Sequence, residues 1–265
     1  MPDILKNIID SKWRHIERLV QIYPESRMRR QVSNLSLYSA MKSSGSSYIL
    51  ECKRASPSRG LLRGQFDIVA ITSIYNRYAS AISVVTDEDY FQGSFEYLAQ
   101  VRANTELPVL CKDFIVSAYQ VRLAAHLGAD AILLMLSVLD DDHYADLADV
   151  ASYCGLDVLT EVSTEDEVER AIRLGARIIG INNRNLRTMV VDLKTTQRLA
   201  PLVPRHCAVI SESGISTRSQ VLHLSGLVDG FLVGSSLMAT PDLDRACACL
   251  VQDGCKSVES REMQL

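Results

Sequence analysis

The segment ILECKRASPSRG (49–60) carries a glutamate and a lysine two positions apart inside what otherwise reads as a buried strand. Strand side chains alternate faces, so Glu51 and Lys53 share one face and Cys52 takes the other. Desolvating two opposite charges on an inner face is costly. They form a structural ion pair or they line a site. The pattern recurs along the chain. Lys112 and Asp113 follow PVLC, Glu161 follows DVLT, Asn182, Asn183 and Arg184 follow RIIGI, and Glu212 follows CAVIS. Thr86, Asp87 and Glu88 follow AISVV. Lysines and glutamates whose proton affinities are moved toward neutrality by burial and neighbours can serve as acids and bases. His15, His126, His143, His206 and His223 fall on helical patterns or before a strand, which argues against a histidine-centred mechanism or a His-rich metal site.

Two further tips suit an anion. Ser213 and Gly214 end the SESG segment, and Gly234 and Ser235 begin GSS, each just ahead of a helical pattern. Glycine lets backbone N–H groups approach closely, serine adds a hydroxyl, and a helix N-terminus adds a positive dipole end. Ser56, Ser58 and Arg59 offer more contacts from the first loop. Any one of these residues could be an ordinary turn or a solvated rim charge. Two lysines and three glutamates converging from several tips are more than a structural scaffold needs.

Convergence requires elements that bring the tips together. Eight short apolar runs begin at YILE (48–51) and AISVV (81–85), followed by PVLC (108–111) and AILLML (131–136). DVLT (157–160), RIIGI (177–181), CAVI (207–210) and GFLVG (230–234) complete them. Continuous apolar runs suit strands buried on both faces. Helical patterns lie between them, with capping residues at Ser117, at Ser163 or Thr164, and at Asp192. Gly128 and Gly175 stand where a helix would end in a left-handed turn. Eight β-then-α units predict a (β/α)8 TIM barrel, α/β in class, whose chemistry sits at the C-terminal strand ends. A doubly wound sheet would show a glycine-rich turn after its first strand, which is absent. Cys52 and Cys111 should face the helices.

Residues 1–265 read as a single barrel domain, with 1–47 an N-terminal helical extension and about 252–265 a polar tail that should fray. The chain has 265 residues, 47% of them hydrophobic and 23% charged, enough apolar material for a sizeable core. A net charge of −4 offers no basic footprint for nucleic acid, and no apolar run is long enough for a membrane span. Seven cysteines without a zinc spacing predict a reduced, cytoplasmic protein in which Cys247 and Cys249 are packing residues.

Together ILECKRASPSRG, SVVTDEDYFQGS, PVLCKDFI, AILLMLSVL, VLTEV, GINNRNL, VISESGI and GFLVGSSLM resemble the indole-3-glycerol phosphate synthase family. The resemblance runs from about Leu35 to Leu243 and includes the helical segment before the first strand. It implies a carbon–carbon lyase of tryptophan biosynthesis that works without metal or organic cofactor. The substrate would be 1-(2-carboxyphenylamino)-1-deoxyribulose 5-phosphate, and the steps ring closure, decarboxylation and dehydration.

By the same resemblance Lys112 matches the acid at the carbonyl oxygen. Lys53 matches the lysine that pairs with the substrate carboxylate, with the acid role left open between the two lysines. Glu161 matches the residue of proton transfer in dehydration, and Glu51 and Glu212 complete the charged ring. Asn182 would hold sugar hydroxyls or the intermediate, and Arg184 would contact the carboxylate. Ser56, Ser213, Gly214, Gly234 and Ser235 would bind phosphate, and Phe91, Phe114 and Leu133 would wall the aromatic ring. Arg59 stands where the family commonly has lysine.

Loop 53–64, with Gly60 and Gly64, is expected to close over substrate. The resemblance implies a small-molecule substrate as partner, no nucleic acid and no membrane, and it allows association with other enzymes of the pathway. Some relatives are fused to a second barrel, phosphoribosylanthranilate isomerase, so the chain is either monofunctional or an excised piece. A related sugar-phosphate isomerase is one rival reading, and it would need different acid–base residues at strands 1 and 5. A non-catalytic sugar-phosphate sensor is another, and loss of Lys112 or Glu161 would have favoured it.

Overall fold

The computed structural model describes residues 4–29, 33–43 and 45–252. The expected fraying tail, from 253 onward, lies outside them. Among the described residues, eight parallel strands close into a barrel. They are β1 (Ser47–Cys52), β2 (Ala81–Val85), β3 (Val109–Lys112), β4 (Ala131–Met135), β5 (Asp157–Val162), β6 (Ile178–Asn182), β7 (Ala208–Glu212) and β8 (Gly230–Val233). Each pairs with its sequence neighbour, and β1 closes the ring against β8 through pairs such as Ile49 with Leu232. Every expected apolar run is a strand, displaced by a residue or two at some ends.

The helices are α1 (Ile4–Ile22), α2 (Leu37–Met41), α3 (Ile68–Tyr75), α4 (Glu88–Phe91), α5 (Phe95–Arg102) and α6 (Ala118–His126). They continue as α7 (Asp141–Cys154), α8 (Glu165–Arg173), α9 (Lys194–Leu199), α10 (Arg218–Leu224), α11 (Ser235–Met238) and α12 (Leu243–Val251). Ser117 and Thr164 cap α6 and α8 through their hydroxyls. Asp192 falls one residue short of the cap of α9, which is Leu193, yet its carboxylate still accepts the Lys194 N–H. Gly128 and Gly175 take the left-handed conformation, with φ of +89° and +74°. The helical run expected from Ser235 breaks into α11 and α12 around Pro241, which cannot continue a helix. Within loop 53–64 a small hairpin forms, Ala55–Ser56 against Gly60–Leu61.

Strand alternation divides the core in two. Side chains pointing outward, Leu50, Cys52, Val84 and Cys111 among them, pack against the helices. Side chains pointing inward fill the barrel with Ile49, Ala81, Leu110, Ala131, Leu133, Leu159, Ile178, Ala208, Ile210 and Leu232. Apolar layers therefore occupy the lower barrel. The next inward positions toward the C-terminal ends are Glu51, Ser83, Lys112, Glu161, Asn182 and Glu212. Register sets neighbours side by side there, with Met135 opposite Glu161 and Asn182 opposite Glu212.

The N-terminal extension serves both ends of the barrel. Leu37 and Met41 of α2 join the interior cluster from below. The Ser36 hydroxyl and the Tyr38 N–H donate to Asp157 at the start of β5, and the Tyr38 hydroxyl donates to the His206 carbonyl just before β7. At the opposite end α1 reaches the C-terminal face through a buried ion cluster. Lys12 Nζ lies 2.5 Å from Asp87 Oδ2 and 2.6 Å from Asp113 Oδ1, with the lysine fully buried.

Cys52, Cys111, Cys154, Cys207 and Cys247 are buried thiols outside any disulfide. Cys249 is disulfide-bonded, which departs from the all-thiol expectation.

Candidate active site

Every residue that the family resemblance assigns to the site lines one cavity of about 360 Å³ at the C-terminal mouth, whereas Thr86, Glu88 and Asn183, which also stand at strand tips, do not. At its centre the Lys112 ammonium stands 3.6 Å from Glu161 Oε2 and 3.6 Å from Glu212 Oε2. Lys53 Nζ is 2.6 Å from Glu51 Oε1, so Glu51 of β1 and Lys53, which falls just past the strand's end, do form an ion pair. The pair also faces the cavity, so both alternatives left open for the first strand hold at once.

Asn182 bridges the ring. Its Nδ2 donates to Glu161 Oε1 at 3.1 Å, and its Oδ1 accepts the Arg184 backbone N–H at 2.9 Å.

Burial and neighbouring charge compete at these groups. Burial works against the charged form of Lys112, but Glu212, Glu161 and Glu51 outweigh it and hold the amine protonated more firmly than usual. Burial likewise resists ionisation of Glu51, and Lys53 and Lys112 overcome it, leaving this carboxyl below its ordinary range. Glu212 goes the other way. Burial pushes it up to about 8, against the pull of Lys112, with the Glu161 and Glu51 carboxylates adding to the rise. Its Oε1 has no hydrogen-bond partner. The mouth thus holds a firm ammonium, a firm carboxylate and a carboxyl of raised proton affinity, within a few ångströms. That is the equipment for donating and accepting protons in one step sequence.

Two glycines create the space for these carboxylates. A Cβ at Gly180 would press into the Glu212 carboxyl, with its carbon at 3.1 Å, and one at Gly234 would press into Glu51, with its carboxyl carbon also at 3.1 Å. Gly234 was expected only as a phosphate contact; the structure gives it this second task.

At one side of the cavity the loops after β7 and β8 face each other. Ser213 and Gly214 both adopt positive φ, 66° and 85°, turning the backbone sharply, and the Ser236 hydroxyl donates to the Ile215 carbonyl at 2.9 Å to join the two loops. The buried Ser56 hydroxyl has no partner. Arg184 lies near Arg59, and burial together with that second guanidinium weakens its hold on a proton. Two crowded cations and an unpartnered hydroxyl suit an anion. On the other side Phe91 and Phe114 sit with ring centroids 6.1 Å apart, alongside Leu133.

Sequence reasoning missed some contributors and misjudged the part of others. Leu5 and Ile8 of α1 join the lining. Asn183 is buried below the β7 loop, where its Nδ2 donates to the Glu212 and Ser213 carbonyls and its Oδ1 accepts from Thr196. Asp87 and Asp113 read as members of the charged ring, yet their carboxylates turn to Lys12. An apolar pattern marks Leu5 and Ile8 as a buried face, but says nothing of what they face.

Comparison with known proteins agrees with this picture. Residues 5–250 match the family model described as indole-3-glycerol phosphate synthase. The chain is 52% identical over 253 residues to the tryptophan biosynthesis protein TrpCF of Vibrio cholerae, covering 95% of this chain and 54% of that one. With the TrpCF protein of Yersinia pestis it shares 51% identity over 247 residues, 92% of this chain and 52% of the other. The chain therefore spans about half the length of the curated relatives it matches.

Among solved structures, a tryptophan synthase α-subunit mutant from Pyrococcus furiosus superposes with a TM-score of 0.61 at 15% identity, covering 78% of this chain and 98% of that one. Thiamine phosphate pyrophosphorylase from Pyrococcus furiosus gives 0.59 at 18% identity, covering 81% and 96%. At such identities these two show the fold alone.

Proposed function

Because the chain belongs to the indole-3-glycerol phosphate synthase family, we propose that it converts 1-(2-carboxyphenylamino)-1-deoxyribulose 5-phosphate to indole-3-glycerol phosphate, carbon dioxide and water. The observation that carries this reading is the Lys112 ammonium set 3.6 Å from two carboxyl groups at the mouth of the barrel. Beside it lie an aromatic wall on one side and paired serine–glycine loops on the other. A substrate with an aryl group at one end and a phosphate at the other matches that order.

In the first step the ring carbon bearing the carboxylate attacks the keto carbon, and the carbonyl oxygen takes a proton from Lys112. The excess of glutamate around that lysine ensures that it starts protonated. The new bond leaves the ring without aromaticity, and loss of carbon dioxide from the same carbon returns the electron pair. The hydroxyl then departs as water while a proton leaves the carbon next to nitrogen, completing the indole. Glu161, hydrogen-bonded through Asn182 and close to Lys112, is the group we assign to proton transfer in this dehydration.

Lys53 and Arg184 hold the substrate carboxylate until it is lost, and Ser56, Ser213, Gly214, Gly234 and Ser235 hold the phosphate. A mobile hydration shell would compete with every one of these steps, so the hairpin in loop 53–64 is assigned to covering the bound substrate. We place the reaction in the cytoplasm, in one barrel domain that associates with other enzymes of tryptophan biosynthesis. Among the described residues no helix is long and apolar enough to cross a membrane.

The test is stoichiometric. The protein incubated with the carboxyphenylamino-deoxyribulose phosphate should release one carbon dioxide for each fluorescent indole product formed. A folded protein that binds this compound and releases neither would overturn the reading.

A further inference from the structure

Lys12 is a buried cation whose partners come from two other elements of the fold. It lies on α1, fully buried, and the two carboxylates it contacts belong to the loops after β2 and β3. Burying a charge is costly unless it is well paired and the remaining lone pairs are filled. Here they are filled by particular donors. Asp87 Oδ1 accepts the Tyr90 N–H at 2.8 Å, which starts α4, and α4 ends on Phe91. Asp113 Oδ1 accepts the Phe114 N–H at 2.7 Å, and its Oδ2 accepts the Thr86 hydroxyl at 2.7 Å.

Each carboxylate thus fixes the backbone that carries one of the two phenylalanines of the aromatic wall. A single ammonium holds both carboxylates. The same helix lends Leu5 and Ile8 to the cavity lining. Beyond Lys12, His15 Nε2 stands 3.4 Å from Glu88, and Arg18 3.3 Å from Asp89, so α1 meets α4 along three successive acidic residues.

We propose that Lys12 is a positioning residue for the aryl end of the substrate, pinning Phe91 and Phe114 at their working separation and seating α1 as the third side of that pocket. It acts on recognition of the ring and leaves the phosphate end and the Lys112 centre to other groups. The inference rests on the assignment of the cavity to an aryl sugar phosphate.

Lys12→Met separates this role from a general loosening of the fold. Steady-state turnover would be measured together with inhibition by two ligands, indole-3-glycerol phosphate, which has the ring, and inorganic phosphate, which does not. In the variant the KM and the inhibition constant of the indole product should each rise tenfold or more. The kcat should stay within threefold of wild type and the phosphate constant within twofold. Equal weakening of both ligands, or no change in either, would overturn the proposal.

Lys12→Met leaves two buried carboxylates unpaired and can fail to fold, so Lys12→Met/Asp87→Asn/Asp113→Asn is the companion. This neutral variant should fold and still lose the aromatic ligand tenfold. Wild-type affinity in it would sink the idea. A wild type that neither turns over nor binds the aryl substrate fails the functional assignment, and this inference with it; a normal wild type beside an unaffected Lys12 variant fails this inference alone.

Discussion

Gly180 is where the geometry makes its sharpest demand. It sits on β6 facing the barrel, and a methyl group there would press into the Glu212 carboxyl, 3.1 Å from its carbon and 3.1 Å from Leu159 Cδ1. Carbon atoms pack at about 3.5–4.0 Å, and the oxygen is nearer still, so the carboxyl must retreat by about 1 Å. Glu212 is buried, and the direction left to it is away from Gly180, which disturbs its 3.6 Å approach to Lys112.

A misplacement of about 1 Å in a catalytic array costs on the order of a hundredfold in rate, or about 2.7 kcal/mol of transition-state stabilisation. Overpacking should also cost about 1–3 kcal/mol of stability, lowering Tm by roughly 2–4 °C for each kcal/mol in a chain of this size. Gly180→Ala should therefore fold at room temperature and show kcat/KM down about a hundredfold by indole fluorescence. Gly226→Ala is the control, because a Cβ there meets nothing within 4 Å. A folded Gly180→Ala with kcat/KM within threefold of wild type would refute the claim that Glu212 must stand where it does.

Other expectations concern charge and the loops assigned to phosphate. Glu212 has its proton affinity raised by folding, to about 8 from an ordinary 4.5. The folded state binds the extra proton, so this group's contribution is whole below about 4.5 and is lost as pH rises toward 8. Glu51, held below its ordinary range, contributes in the opposite sense, losing its share as pH falls through its depressed value. Tm measured from pH 5 to 8 should fall less steeply in Glu212→Gln than in wild type, and parallel curves would contradict the assignment. Asn183→Ala strips partners from two carbonyls and from Thr196, so calorimetry should show a loss of about 2–4 kcal/mol, with weaker inhibition by inorganic phosphate. Gly214→Ala places a side chain at φ +85° and within 2.5 Å of Val191 Cγ1. It should weaken phosphate inhibition at least tenfold while leaving the Phe91–Phe114 side unaffected, as a ring-bearing ligand without phosphate would report.

Much of this arrangement was legible from the chain. The strands declare themselves because a barrel strand is buried on both faces, and a charge ending such a run is conspicuous at Glu51, Lys112, Glu161 and Glu212. Alternation placed Glu51 with Lys53 and set Cys52 against the helices. Contacts between distant segments were not legible. Lys12 sits in an amphipathic helix, where a lysine ordinarily points to water, and its partners Asp87 and Asp113 look like two more rim charges. Gly180 and Gly234 read as strand and turn glycines, since the carboxylates they accommodate come from other strands. The part of α2 in closing the lower barrel was hidden for the same reason, because Tyr38 meets Asp157 and His206, which lie far from it along the chain. Short elements such as α4 and the 55–61 hairpin escaped because four residues or fewer carry no periodicity.

Lys112 and Glu161 are the groups assigned to the proton transfers of indole ring formation. Wild type, Lys112→Ala and Glu161→Ala would be given the carboxyphenylamino-deoxyribulose phosphate with a chelator present, and fluorescent product followed. Wild type should turn over, unaffected by the chelator, and turnover should collapse by at least a hundredfold in each variant while both still bind the substrate. Turnover surviving both substitutions would contradict that assignment.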